Sequence, residues 1–144
     1  MTAGRVVTTV VNDKGLGVFE SDQTVELSGV EGGGRVRRYD VVDKVPVPDI
    51  AYNPKHQVEG LATSEGAAFM MVELPAGFKS PMHATPSMDY GVMVSGEIVL
   101  MLDSGEETIL RAGDVYVQKG AAHMWENRSS EVARFTVTLL ASRP

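Results

Sequence analysis

Two stretches of sequence decide the fold: GFKSPMHATPSMD at residues 77–89 and GDVYVQKGAAHMWEN at residues 113–127. Each contains a turn glycine, a short run of alternating apolar and polar residues, and a histidine beside another turn. The histidine is His83 in the first stretch and His123 in the second. Strands this far apart in the chain face each other when a sheet closes on itself. We therefore predict a pocket inside a β-barrel, with both imidazoles directed inward.

The rest of the chain has the pattern of an all-β protein. Short β-branched and aromatic runs are separated by Gly, Asp, Asn and Ser turns, and few segments have helical periodicity. In the last predicted strand, residues 134–140, Phe135, Val137 and Leu139 share one face. This spacing favours a sandwich or small barrel over a βαβ protein. The other predicted strands are 5–11, 17–20, 35–42, 69–74, 88–94, 98–102, 107–110 and 114–117.

The first stretch resembles the first signature motif of the cupin superfamily. That motif is Gly, five residues, His-x-His, three or four residues, Glu, six residues, Gly. The same spacing occurs here at Gly77, His83, Asp89 and Gly96. Thr85 stands at the position of the second histidine, and Asp89 replaces the glutamate. Two of the four usual metal-ligand positions have therefore changed.

The second stretch resembles the second cupin motif, which ends Pro-x-Gly, two residues, His, three residues, Asn. Gly120, His123 and Asn127 match it, and Gln118 stands where proline is usual. The resemblance covers about residues 62–141. It implies an all-β fold, a double-stranded β-helix or jelly-roll barrel.

The chain is expected to form one structural domain with two parts. Residues 1–60 are expected to supply N-terminal strands and a proline-rich crossover packed on the barrel, and residues 61–144 the cupin barrel core. Residues 1–60 exceed what one barrel needs. In small cupins such strands often extend a sheet, sometimes that of a partner subunit, so the resemblance implies a homodimer.

Composition narrows the possible partners and location. The 144 residues carry a formal net charge of -6, which argues against nucleic acid, since phosphate binding needs a basic face. The chain has no cysteine, which excludes disulfides and thiolate sites. The N-terminus lacks the apolar core of a signal peptide, and the most apolar segment, 92–102, is too short to cross a bilayer. We expect a cytoplasmic protein with a small-molecule substrate and no membrane association.

A metal site is one interpretation of the candidate residues. His83, Asp89 and His123 together would supply two imidazoles and a carboxylate, a set that suits ferrous iron or catalytic zinc. Aspartate, however, is shorter than glutamate by roughly 1.5 Å, and the Thr85 hydroxyl is a poor substitute for an imidazole. The sequence therefore leaves two possibilities open: no metal, or one divalent ion (Fe, Zn, Mn or Ni).

Acid–base catalysis is the second interpretation of the same residues. Imidazole can take or give a proton near neutral pH, and Asp89 could orient one ring. A turn-capping role for Asp89 is the competing structural explanation. Trp125 is predicted to form an aromatic wall or simply to fill the core, and Thr85 and Met93 are the other predicted substrate contacts.

The leading functional hypothesis is a small cupin enzyme acting on a largely apolar, oxygenated small molecule. Its chemistry would be dehydration, decarboxylation, isomerisation or cyclisation, because each of these needs proton transfer. Stand-alone cupins of this kind resemble tailoring proteins of secondary metabolism. The alternatives are an iron-dependent dioxygenase using His83, Asp89 and His123, and a non-catalytic ligand-binding protein. The fold hosts all three.

Overall fold

A computed structural model describes residues 3–26, 28–29, 35–36, 39–52, 54–57 and 60–143. Within these ranges the regular structure is β-strand apart from a 3-10 turn at Pro54–His56, and none of it forms a helix long and apolar enough to span a bilayer. The strands are β1 (Ala3–Val11), β2 (Gly17–Glu26), β3 (Ser28–Gly29), β4 (Arg35–Val36), β5 (Ala67–Leu74), β6 (Ser87–Ser95), β7 (Glu97–Leu102), β8 (Glu107–Arg111), β9 (Val115–Lys119), β10 (His123–Glu126) and β11 (Ala133–Ala141).

Two main sheets enclose the core. The larger has six strands in the order β2-β1-β9-β6-β11-β5, and the smaller has three in the order β10-β7-β8. Leu100 and Trp125 from the smaller sheet pack in one buried cluster with Tyr116 and Phe135 from the larger sheet. The chain thus folds as a jelly-roll double-stranded β-helix, which confirms the predicted fold class.

The N-terminal strands belong to the larger sheet. β1 pairs antiparallel with β2 and parallel with β9, so it lies directly beside a strand of the second motif. The turn between β1 and β2 is held by Asn12, whose side-chain oxygen accepts hydrogen bonds from the backbone N–H groups of Lys14 and Leu16. Arg5 forms an ion pair with Asp22 within the hairpin and a second one with Asp114, which joins the hairpin to the rest of the barrel.

The largest departures from the predicted strands are at three places. The predicted strand 35–42 contains regular β-structure only at Arg35–Val36 among its described residues. Residues 39–42 are irregular, and Asp40 accepts a hydrogen bond from the Tyr90 hydroxyl at 2.6 Å, which holds this segment against β6 through a side chain. The strand predicted at 17–20 continues to Glu26, and His123–Glu126 forms a strand of its own.

The described part of the proline-rich crossover has no regular structure apart from the 3-10 turn at Pro54–His56, and it is anchored to the barrel at two places. The Val47 N–H donates to the carbonyl of Ala141, at the end of β11. The Ala84 N–H donates to the carbonyl of His56 at 2.6 Å, next to His83. The crossover therefore supports the segment that carries the first histidine.

Gly91 allows an aromatic ring to lie against the inner face of β6. A Cβ at this position would overlap both the Tyr116 ring and the carbonyl of Thr136. The Tyr116 hydroxyl donates to that same carbonyl at 2.7 Å, so the ring is fixed across the glycine. The absence of a side chain at residue 91 is thus what admits this ring into the core.

Gly91→Ala should therefore lower the free energy of unfolding by about 3 kcal/mol, because neither the buried Tyr116 ring nor the backbone carbonyl can move away at little energetic cost. Chemical denaturation measures the loss. Gly29→Ala is the matched control, since a Cβ there meets nothing within 4 Å. Equal stability of the two variants would contradict this account of Gly91.

Candidate active site

His83 and His123 are direct backbone partners. The His83 N–H donates to the carbonyl of His123 at 2.9 Å, and the His123 N–H donates to the carbonyl of His83 at 2.8 Å. Residues paired in this way project their side chains from the same face. The two imidazole centroids are accordingly 4.3 Å apart, with the ring planes inclined by 54°.

Backbone carbonyls fix the protonation pattern of both rings. Nδ1 of His83 lies 3.0 Å from the carbonyl oxygen of Pro81, and Nδ1 of His123 lies 2.9 Å from that of Ala121. A carbonyl oxygen can only accept, so in the neutral rings the proton is on Nδ1. Each Nε2 therefore carries a free lone pair and acts as a hydrogen-bond acceptor.

Both histidines line a cavity of about 240 Å³ inside the barrel, which we call the barrel cavity. Its wall is largely apolar, and the polar side chains are confined to a small group. The polar residues are Ser80, His83, Thr85, Asp89, Gln118 and His123. The remaining lining residues are Leu61, Met70, Val72, Leu74, Phe78, Tyr116, Trp125, Phe135, Val137 and Leu139.

Trp125 forms an aromatic wall of the barrel cavity. It lies two residues after His123 on the same face of β10, with the two ring centroids 5.4 Å apart. Its indole also packs on Phe135 and Tyr116, at centroid distances of 4.8 and 5.4 Å. The sequence predicted Trp125 at this wall but missed Tyr116 and Phe135, although both occupy inward-facing strand positions.

Asp89 is the third predicted catalytic residue that lines the barrel cavity. Its Oδ1 accepts a hydrogen bond from the Ser87 hydroxyl at 2.5 Å. While Asp89 is ionised, this bond uses the Ser87 proton, so Thr85 then donates in the 2.7 Å contact between the two hydroxyls. Burial raises the pKa of Asp89 to about 7, and the bond from Ser87 opposes this shift.

Burial shifts the neighbouring groups toward their neutral forms as well. It lowers the pKa of His123 to about 3, helped by repulsion from His83 and opposed by the hydrogen bond to Ala121. Burial also raises the pKa of Tyr116 well above its usual value, and the charge of Asp89 adds to the effect. At neutral pH His123 is therefore an uncharged imidazole and Tyr116 an uncharged phenol, while Asp89 exchanges between its two forms.

The described residues do not form a complete metal-ligand set. Nδ1–H held by a carbonyl is the arrangement that histidine ligands commonly show, and the imidazole pair has it. However, no group of three or more His, Asp or Glu side chains in the described ranges is placed to hold a metal ion. Asp89 does not complete the pair, and the Thr85 hydroxyl already bonds Ser87. The predicted three-residue metal set is thus not assembled in this geometry.

One predicted substrate contact lies elsewhere. Met93 shares the inward face of β6 with Asp89 and Gly91, but it does not line the barrel cavity. It is 1% exposed and packs in the core cluster, because the Tyr116 ring lies over Gly91, between Asp89 and Met93. The sequence could not reveal this, since the position of the ring depends on β9.

Ser80 and Gln118 are the polar lining residues that the sequence analysis did not name as candidates, and Gln118 is the more deeply buried of the two. It had been noted only as the replacement for a motif proline, although a polar side chain in the middle of a central strand was a usable signal. The side chain is 2% exposed, and its Oε1 has no hydrogen-bond partner among the described residues.

The fold and site define a β-barrel with an internal apolar cavity and a histidine pair at its wall. Residues 70–139 match the family model Cupin_2, described as a cupin domain. The chain therefore contains a domain of the cupin superfamily, as its two motifs predicted. A solved structure with the same architecture is an uncharacterized conserved protein with a double-stranded β-helix domain from Klebsiella pneumoniae. It has a TM-score of 0.50 and 26% identity, covering 56% of this chain and 70% of that chain.

Two curated relatives are more similar in sequence. Phomopsin biosynthesis cluster protein C' of Diaporthe leptostromiformis is 44% identical over 86 residues, 59% of this chain and 46% of that protein. A cupin-domain-containing oxidoreductase of Aspergillus ruber is 38% identical over 85 residues, 54% of this chain and 42% of that protein. The chain thus spans less than half the length of either relative.

Asp89→Asn should stabilise the protein increasingly as pH rises from about 4 to about 8. The folded wild type retains a proton up to pH 7 that the unfolded chain releases near pH 3.8, so its stability falls across that window. The advantage of the variant should reach about 4 kcal/mol at pH 8, at 1.36 kcal/mol per pKa unit. Denaturant titrations at several pH values measure the difference.

The control is Asp13→Asn, the same substitution on the exposed turn between β1 and β2. A difference between Asp89→Asn and wild type that stays constant with pH would show that Asp89 is not a buried, titrating carboxyl.

Proposed function

We propose that this cupin is an enzyme that moves a proton on a small, largely apolar, oxygen-bearing molecule. The observation that carries the proposal is the placement of Asp89 and His123 in one apolar cavity. Burial there raises the pKa of the first to about 7 and lowers that of the second to about 3. Neighbouring titratable groups whose pKa values are shifted in opposite directions by their surroundings are characteristic of acid–base sites. Dehydration, decarboxylation, isomerisation and cyclisation all use such a step.

In the proposed mechanism Asp89 is the group that gives and takes the proton. A carboxyl with a pKa near 7 is present in both forms at neutral pH, which is the most effective condition for general acid–base catalysis. His83 and His123 accept hydrogen bonds through Nε2 and orient a hydroxyl of the substrate. Trp125 packs against the apolar body of the substrate, and Thr85 contacts its polar part.

We propose a role in the biosynthesis of a small natural product. The supporting observations are the names of relatives, which include a phomopsin biosynthesis cluster protein and an oryzines biosynthesis cluster protein. The remaining expectations are part of the same proposal: a cytoplasmic protein with a small-molecule substrate. The net charge of -6 supports the absence of nucleic acid from its partners.

A metal-dependent oxidoreductase, such as an iron dioxygenase, is the second candidate. The names of several relatives contain the word oxidoreductase, and the two Nε2 lone pairs favour it. We rank it second because the imidazole pair supplies fewer than the three protein ligands usual for catalytic zinc and non-haem iron sites. Oxygen consumption on addition of ferrous iron and an apolar substrate would reverse this ranking.

Hydrogen exchange tests the proton-transfer proposal without knowledge of the natural substrate. We expect the wild type to accelerate exchange of the α-hydrogens of 2-hydroxycyclohexanone, whose hydroxyl the two histidines can orient, in deuterium oxide, as measured by NMR. Asp89→Asn should lower the catalysed rate by about 10²–10⁴, because it removes the exchanging acid. His83→Ala and His123→Ala should also abolish it, with little change in melting temperature.

The control is Asp13→Asn, which should exchange at the wild-type rate. If Asp89→Asn also keeps the wild-type rate, the proton-transfer role of Asp89 is wrong. Binding of this hydroxyketone with no catalysed exchange would instead support the third hypothesis, a non-catalytic binding protein.

We further propose a homodimer built partly through the N-terminal strands. The supporting observation is that β2 stands at one end of the order of the six-stranded sheet, where a second β2 can pair with it. Sedimentation equilibrium at micromolar concentration should give twice the 15.5 kDa chain mass. The substitution Gln23→Pro, at an exposed position of β2, should shift the equilibrium to monomer. A wild type that is monomeric at every concentration would refute the dimer.

A further inference from the structure

Gln118 is a buried polar side chain whose acceptor is unused. It lies on β9, is 2% exposed and lines the barrel cavity. Its Oε1 has no hydrogen-bond partner in the described part of the chain. A buried acceptor without a donor costs folding stability, and buried polar groups in native proteins are normally satisfied. Because this unpaired acceptor belongs to a side chain that lines a cavity, we infer that a bound molecule supplies the missing hydrogen-bond donor.

The strand register places Gln118 at the centre of a polar row on the inner face of the larger sheet. It pairs with Asp89 on β6 and with Thr9 on β1. Cross-strand partners share one face, so the three side chains are neighbours across three strands. Thr9 is fully buried, and its Oγ1 also lacks a partner in the described ranges. The row therefore holds two unused hydrogen-bonding oxygens.

The barrel cavity presents hydrogen-bond acceptors together with a few uncharged donors. Nε2 of His83, Nε2 of His123 and Oε1 of Gln118 each offer a lone pair. The amide N–H groups of Gln118 and the indole N–H of Trp125 are donors, as is the carboxyl of Asp89 when it is protonated. None of the described lining residues is a lysine or arginine. The lack of a cation there disfavours carboxylates and phosphates, and the combination of acceptors and uncharged donors favours a neutral ligand with a hydroxyl group.

We propose that Gln118 is a specificity-determining residue that accepts a hydrogen bond from a hydroxyl group of a neutral, apolar, ring-bearing ligand. The ring packs against Trp125 and Phe135 while the hydroxyl points to the polar row. The inference deepens the proposed function, on whose cavity it rests, by naming the substrate class as an uncharged hydroxylated apolar compound. It adds a binding residue and requires no particular reaction.

The test compares p-cresol with p-xylene, which differ by a hydroxyl in place of a methyl group. Trp125 is the one tryptophan of the chain and lines the barrel cavity, so its indole N–H signal in NMR titrations reports binding. The wild type should bind p-cresol more tightly. Gln118→Leu should reduce this preference by about tenfold, the equivalent of one net hydrogen bond.

Stability distinguishes a ligand-binding role from a structural one. Since the Oε1 has no hydrogen-bond partner among the residues that the structure describes, Gln118→Leu should melt at the wild-type temperature or above it. Gln118→Met, closer in length, serves as a second variant if leucine does not fit. Gln23→Leu, on an exposed position of β2, is the matched control and should leave the preference unchanged.

Each outcome has a defined meaning. An unchanged preference in a folded Gln118→Leu or Gln118→Met variant overturns the proposal, and a lowered melting temperature alongside it identifies Gln118 as structural. A wild type that binds neither probe, or both equally, overturns it as well. The ketone exchange assay is independent: exchange without the preference refutes only the role of Gln118, and the preference without exchange refutes only proton transfer.

Discussion

The mutual backbone hydrogen bonds between His83 and His123 are the constraint on which the site depends. They belong to a longer set of bonds between the two motif stretches, which includes Ser80 N–H to the Trp125 carbonyl and Gly77 N–H to the Asn127 carbonyl. These bonds join the segment before β6 to β10 of the smaller sheet and so close the barrel on this side. The same contact that completes the fold therefore brings the two imidazoles together, and fold and site cannot be separated.

Burial gives the site its chemical character. The barrel buries Asp89 and His123, and the pKa of each group shifts in the direction that favours its neutral form. The same burial leaves Oε1 of Gln118 with no hydrogen-bond partner among the described residues. Apolar side chains at these positions would make the fold more stable, so the polar groups lower its stability. This loss agrees with the proposed ligand-binding role of the barrel cavity.

Much of the architecture was predictable because strand structure is encoded locally. Alternation in residues 134–140 predicted β11, and strands were predicted at 5–11 and 17–20, where β1 and β2 lie. The predictions failed where a contact distant in sequence decides the outcome. Residues 39–42 are held by Tyr90 rather than by a strand partner, and Met93 is separated from Asp89 by the Tyr116 ring from another strand. Local periodicity contains no information about either contact.

The sequence by itself determined the strand pattern, the two histidine motifs and the candidate set of His83, Asp89, His123 and Trp125. These follow from spacing, since period-two alternation fixes which side chains share a face. Only the tertiary structure decided that the imidazoles contact each other while Asp89 does not complete a metal set with them. It also decided that Oε1 of Gln118 has no hydrogen-bond partner among the described residues. Those properties depend on cross-strand register and burial, which arise only when distant strands are brought together in one closed barrel.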